Sequence, residues 1–202
     1  MLLSLRARNL LLASWKADPE LVARTLPRGL RPAPVDGSHL VTIAALRYTR
    51  AQLGPMPAPP FSQLNVRTYV EHEDRPAVYF LMTRVTLPGM GGAFLGAPYR
   101  PARIRVRPGL VDAPGLGVSL RYEVAGPAEP SELTGQLVGL YEAAGVRAFR
   151  IRRAPAEWRR ARPDGPVRAD PLVALGFDVS EPPDLLYAED AAFEAELPPR
   201  RV

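Results

Sequence analysis

Gln63, Asn65, Arg67 and Tyr69 occupy every second position of the stretch F-S-Q-L-N-V-R-T-Y-V, and no other run of this chain offers so compact a set of groups able to hold a ligand. An arginine stays charged at any physiological pH and grips a carboxylate or phosphate through paired donors. Amides and a phenol beside it would add neutral hydrogen bonds. The intervening Leu64, Val66, Thr68 and Val70 make a second face, and that two-residue period predicts a β-strand. One face requires a core. The polar face either borders solvent or lines a wet cavity inside a barrel, and periodicity leaves both open.

The residues that are missing narrow the chemistry further. Of the 26 cationic side chains only Lys16 is a lysine, so imine formation at a lysine of lowered pKa has almost no candidates. There is no cysteine, which excludes disulfides, thiolate nucleophiles and thiolate metal sites. His39 and His72 are too few for a histidine metal site, and both sit beside turns where an exposed imidazole is the plain reading. The G-M-G-G run at 89–92 lacks the Lys-Ser/Thr ending and following helix of a phosphate loop. No cofactor and no metal are therefore expected. The arginine-rich segment 147–168 has its charges on no single face and few aromatics, so it reads as a solvated basic surface; no nucleic-acid partner is expected.

These groups need a scaffold of strands. With 202 residues, 47% hydrophobic and no Ser/Gly-rich or charged linker, residues 1–202 are expected to form one domain. Residues 4–16 read as a strand, interrupted too often by Arg6, Arg8 and Asn9 to be a signal peptide; the protein is expected to be cytoplasmic, with no membrane partner. Asp18-Pro19-Glu20 predicts a helix start, and the helix should end near Leu26. Residues 39–48 form a strand, G-P-M-P-A-P-P a loop, and 62–72 with 77–87 a hairpin about E-D-R-P. Further strands are expected over 102–107 and 116–125, a helix from Ser131 to about Ala144 closed by Gly145, a short helix near Leu172–Leu175 and a closing strand over 185–197.

The order W-K-A-D-P-E-L-V, F-S-Q-L-N-V-R-T-Y-V, P-A-V-Y-F, P-Y-R-P-A-R and the tail L-V-A-L-G-F-D-V-S-E-P-P-D-L-L-Y-A-E-D resembles the YqjF-like bacterial family of unknown function. That family is similar in fold to acetoacetate decarboxylase. The resemblance implies an α+β fold: an acetoacetate decarboxylase-like antiparallel β-barrel, or cone, with a few flanking helices around a cavity. It also places the decarboxylase's proline-lysine-lysine motif on Pro98-Tyr99-Arg100, its arginine on Arg8, one glutamate on Gln63 and the other near Thr42 or Ile43. A phenol cannot form an imine, so Schiff-base decarboxylation is not expected.

What remains is a set suited to an anion. Arg8, Arg67 and Arg100 would hold a carboxylate or keto acid, with Gln63, Asn65, Tyr69 and Tyr99 as hydrogen-bonding partners and Trp15 and Tyr79 either as apolar walls or as core. If there is catalysis, Tyr99 would be the acid or base, its pKa lowered by nearby cations. The rival reading is a non-catalytic scaffold whose barrel is filled by Phe61, Tyr79, Phe80 and Phe94, with self-association into a homo-oligomer left open.

Overall fold

The computed structural model describes residues 2–87, 99–129, 131–135 and 138–202. Strand β1 (Leu2–Lys16) leads to helix α1 (Pro19–Thr25), which starts as its sequence dictates: the Asp18 side chain accepts from the Glu20 amide at 2.8 Å and Pro19 needs no partner for its nitrogen. Then come β2 (Leu40–Leu53), β3 (Met56–Ala58), β4 (Phe61–His72) and β5 (Arg75–Val85). Glu73 and Asp74 turn the β4–β5 hairpin with φ of 49° and 58°. Short strands β6 (Arg100–Pro101), β7 (Arg105–Arg107) and β8 (Leu110–Ala113) precede β9 (Val118–Pro127). The chain ends with β10 (Val138–Glu142), β11 (Val146–Arg153), β12 (Arg159–Pro163), β13 (Arg168–Ala169), helix α2 (Asp170–Ala174), β14 (Asp184–Glu196) and β15 (Arg200–Arg201).

Seven of these strands pair in a closed circuit, in the order β1, β2, β4, β5, β10, β11, β14 and back to β1. The ring is mostly antiparallel, but β5 and β10 run parallel, so the expected all-antiparallel arrangement is corrected at that pair. A second layer of β7, β8 and β9, with α1 and α2, covers part of the ring's outer side. There Leu11, Ala13, Ile43, Leu64 and Val66 pack with Val111, Leu120 and Leu172. On the inner side Leu10, Leu12, Ala44, Leu46 and Tyr48 form a separate cluster. Burial on both faces explains why residues 10–13 of β1 and 43–46 of β2 are continuously apolar.

Three bulges decide which residues face inward. On β1 the register slips between Arg8 and Leu11, and Asn9 takes a φ of 53°. Leu3 and Leu5 face inward before the bulge and Leu10 and Leu12 after it, so the inward set changes parity. On β2 a slip at Thr49 does the same, switching the inward set from Tyr48 to Ala51. On β5 an extra residue at Leu81, opposite the Val66–Arg67 step, lets both Phe80 and Val85 point inward.

The helix expected from Ser131 to Ala144 does not form. Ser131 does accept from the Leu133 amide at 3.0 Å, but it caps only a single 3-10 turn over Glu132–Thr134. The following residues become β10 and, after a turn through Ala144 and Gly145, β11. Two glycines within ten residues weaken a helix, and the buried pairing of Leu140 with Tyr79 outweighs what local propensity remains. The loop expected at G-P-M-P-A-P-P is likewise partly strand, since β3 pairs with the end of β2; β8 and β12 were not foreseen. The G-M-G-G run and Phe94 lie outside the described residues.

Gly139 has a specific packing role. A Cβ there would come within 2.6 Å of the Phe149 ring and 2.9 Å of the Phe80 ring, which stack on each other at 6.0 Å. Gly139→Ala is therefore expected to destabilise the fold by ~1–3 kcal/mol through overpacking, read as a lowered midpoint in urea unfolding. An unchanged midpoint would show that the two rings can move apart at no cost.

Candidate functional site

The inward face of β4 carries the polar residues singled out by their spacing. Gln63, Asn65 and Arg67 border a cavity of 370 Å³ inside the ring, while Leu64 and Val66 on the opposite face enter the outer core. The two possibilities left open by the strand's periodicity are thus resolved in favour of a cavity. Most of its wall is apolar, with Leu10, Leu12, Leu46, Phe61, Phe80 and Phe149 prominent. Its only charged described residues are Arg67 and Arg153, and no Asp or Glu borders it.

Beside Arg67, whose strand partner on β2 is Thr42, runs a buried hydrogen-bond chain. Ser14 and Thr42 are joined at 2.9 Å, and Thr42 meets the Tyr69 hydroxyl at 3.1 Å. Tyr69 is 1% exposed and its ring lies beneath Arg67, whose guanidinium carbon is 5.8 Å from the ring centre. Arg153 stacks on Trp158 in the same manner at 5.3 Å. Burial lowers the pKa of Arg153 and the positive charge of Arg67 lowers it further, so the two cations share one electrostatic neighbourhood.

These groups are under-used by the protein itself. Arg67 Nε and Asn65 Oδ1 are buried with no hydrogen-bond partner. Among the described residues neither Arg67 nor Arg153 forms an ion pair. An unpaired buried polar atom costs ~1–3 kcal/mol, and both of these belong to side chains that border the cavity.

Other expected members fall elsewhere. Arg8 is exposed on the outer face, because the bulge at Asn9 reverses which side of β1 faces the interior. Arg100 is exposed on β6 beside Arg84 and does not border the cavity. Tyr69 lies under Arg67 rather than on the cavity wall. Tyr99 does border the cavity, but burial, reinforced by Tyr141, pushes its pKa up, where nearby cations were expected to lower it. It remains a neutral proton donor. Trp15 and Tyr79 belong to the cores; the Trp15 indole donates to the Glu181 carbonyl at 3.0 Å. Lys16 is exposed at the end of β1, outside the cavity. No group of metal-ligating side chains occurs among the described residues, and no helix is long and apolar enough to cross a membrane.

Arg153 is the member that sequence reasoning missed. The alternation Phe149-x-Ile151-x-Arg153 along β11 puts all three on the cavity wall, while Arg150 and Arg152 point outward. That period was legible, but the surrounding arginines masked it.

A family model described as an uncharacterized conserved protein matches residues 4–190. The chain belongs to this family, DUF2071. No curated protein matches it. The DUF2071 chain has the acetoacetate decarboxylase-like fold. An acetoacetate decarboxylase-like enzyme from Sphingomonas wittichii RW1 aligns over 100% of this chain and 92% of its own, with a TM-score of 0.69 and 15% identity. The enduracididine biosynthesis enzyme MppR, complexed with the condensation product of pyruvate and imidazole 4-carboxaldehyde, aligns over 99% and 88% with a TM-score of 0.71 and 16% identity. Acetoacetate decarboxylase from Legionella pneumophila aligns over 99% and 86%, with a TM-score of 0.68 and 8% identity.

The buried phenols of the DUF2071 chain give it a pH signature. Burial raises the pKa of Tyr48, Tyr99 and Tyr122, and takes Tyr79 up to about 12 with help from Glu142. A raised folded-state pKa favours the neutral form, so the associated stability is complete below the unfolded value of 10.0 and is lost as pH rises through the folded values. The melting temperature should hold steady up to about pH 10 and then fall. Tyrosinate absorbance from these four residues should appear with unfolding, not before it; early ionisation of all seven tyrosines in the native state would contradict their burial.

Proposed function

We propose that this protein, acting as one domain, binds a small organic acid in the cavity of its strand ring. Arg67 and Arg153 hold the carboxylate, while Asn65, Gln63 and the neutral Tyr99 hydroxyl supply hydrogen bonds. The observation that carries this reading is a cavity whose described lining holds two cations and no acid, with unpartnered, buried polar atoms, Arg67 Nε and Asn65 Oδ1, on two of the side chains that border it. The acid class is also supported by MppR, a structural neighbour complexed with pyruvate.

Lysine imine chemistry is not part of the proposal. The only lysine is Lys16, exposed and away from the cavity, and the candidate acid or base at Tyr99 is a phenol that burial keeps protonated. If turnover occurs, Tyr99 would donate a proton or a hydrogen bond to a carbonyl oxygen, and the arginines would stabilise the negative charge that develops.

A thermal-shift panel of carboxylic and keto acids tests the reading, because selective binding to the folded state raises the melting temperature. At least one acid should give a concentration-dependent shift. Arg67→Ala should weaken its binding by ~1.5–3 kcal/mol, the scale of a hydrogen bond to a charged group. Asn65→Leu should weaken binding too, yet raise the stability of the unliganded protein by ~1 kcal/mol, since it removes an unpaired buried amide. Absence of any shift across the panel would favour a non-catalytic scaffold.

A further inference from the structure

The segment from Met56 to Arg67 forms a continuous strip of the cavity wall, contributed by Met56, Ala58, Phe61, Gln63, Asn65 and Arg67. Its polarity changes in one direction. The Arg67 end is charged and flanked by the buried Ser14–Thr42–Tyr69 chain. The middle carries two amides, and from Phe61 onward the strip is apolar, with the Phe61 ring against Tyr48 at 4.7 Å. Phe61 to Arg67 alone spans six residue steps, about 20 Å at ~3.3 Å per residue. At the other end Met56 is 46% exposed and Leu87, also on the wall, is 39% exposed, so the cavity reaches the surface through an apolar mouth.

From this gradient we infer that the ligand is an amphipathic monocarboxylate, an acid with an aliphatic or aromatic body, which lies with its carboxylate inward at Arg67 and its apolar body toward Met56. The inference rests on the anion-pocket reading above and adds the class of acid. Size supports it. A water molecule's share of liquid volume is ~30 Å³, so a 370 Å³ cavity suits a ligand of roughly ten heavy atoms, and a three- or four-carbon keto acid would leave most of the apolar wall uncovered. Apolar surface that the fold leaves in contact with water is stabilised by a ligand that covers it.

Titration calorimetry of the full chain with butanoate, hexanoate and octanoate, and with octanol as the uncharged control, tests the inference. Affinity should tighten about fourfold for each added methylene, the equivalent of ~0.8 kcal/mol. Octanol should bind far more weakly than octanoate. Affinity independent of chain length would overturn the amphipathic ligand and leave the anion pocket standing. Octanol binding as tightly as octanoate, or octanoate binding undiminished in a folded Arg67→Ala, would overturn the anion pocket and this inference together. Failure of every alkanoate to bind, with pyruvate still binding, would overturn this inference alone.

Discussion

Ile151, Arg152 and Arg153 pair with Ala195, Glu194 and Phe193, and this three-residue ladder closes the ring of strands that everything else depends on. Without it β11 would be an edge of an open sheet, and Phe149, Ile151 and Arg153 would face solvent instead of a shared interior. Closure removes that edge and gives both faces of β1, β2 and β4 something to pack against. The outer face is filled by the β7–β9 layer and the two helices. The inner face is only partly filled, and the space left over is the cavity.

The electrostatics of that interior follow from the same closure. Two arginines are brought into one partly desolvated space without a carboxylate to neutralise them, an arrangement that costs free energy in the unliganded protein. Aromatic faces beneath them, Tyr69 under Arg67 and Trp158 under Arg153, offset part of this cost and hold the guanidinium planes in place. The buried phenols nearby stay protonated for the same reason that the pKa of Arg153 is lowered, since a poorly solvated space disfavours charge. No Asp or Glu among the described lining offsets the two positive charges.

Much of the strand framework could be read from alternation and turn chemistry. The β4–β5 hairpin, the capped α1 and the closing β14 follow from local patterns strong enough to survive folding. Where two local signals competed, the reading failed: Ser131-Glu132 marks a helix start, yet Val138–Glu142 gains more from pairing with β5 and β11 than from continuing a helix through Gly139. Within the site, Gln63, Asn65 and Arg67 share a face because one unbroken strand enforces a period of two. The resemblance places the decarboxylase's arginine on Arg8; in the structure the bulge at Asn9 exchanges the two faces of β1 and leaves Arg8 exposed on the outer one.

By itself the sequence determined the residue types available: arginines and amides for an anion, one remote lysine, no thiol, and a polar strip on β4 that had to face something wet. Only the tertiary structure decided that this strip faces a cavity inside the strand ring, that Arg153 joins Arg67 there, and that Arg8 and Arg100 do not. The physical reason is that strand alternation is local, whereas ring closure, strand register and bulges join residues such as Arg67 and Arg153 that lie far apart along the chain and share no local pattern.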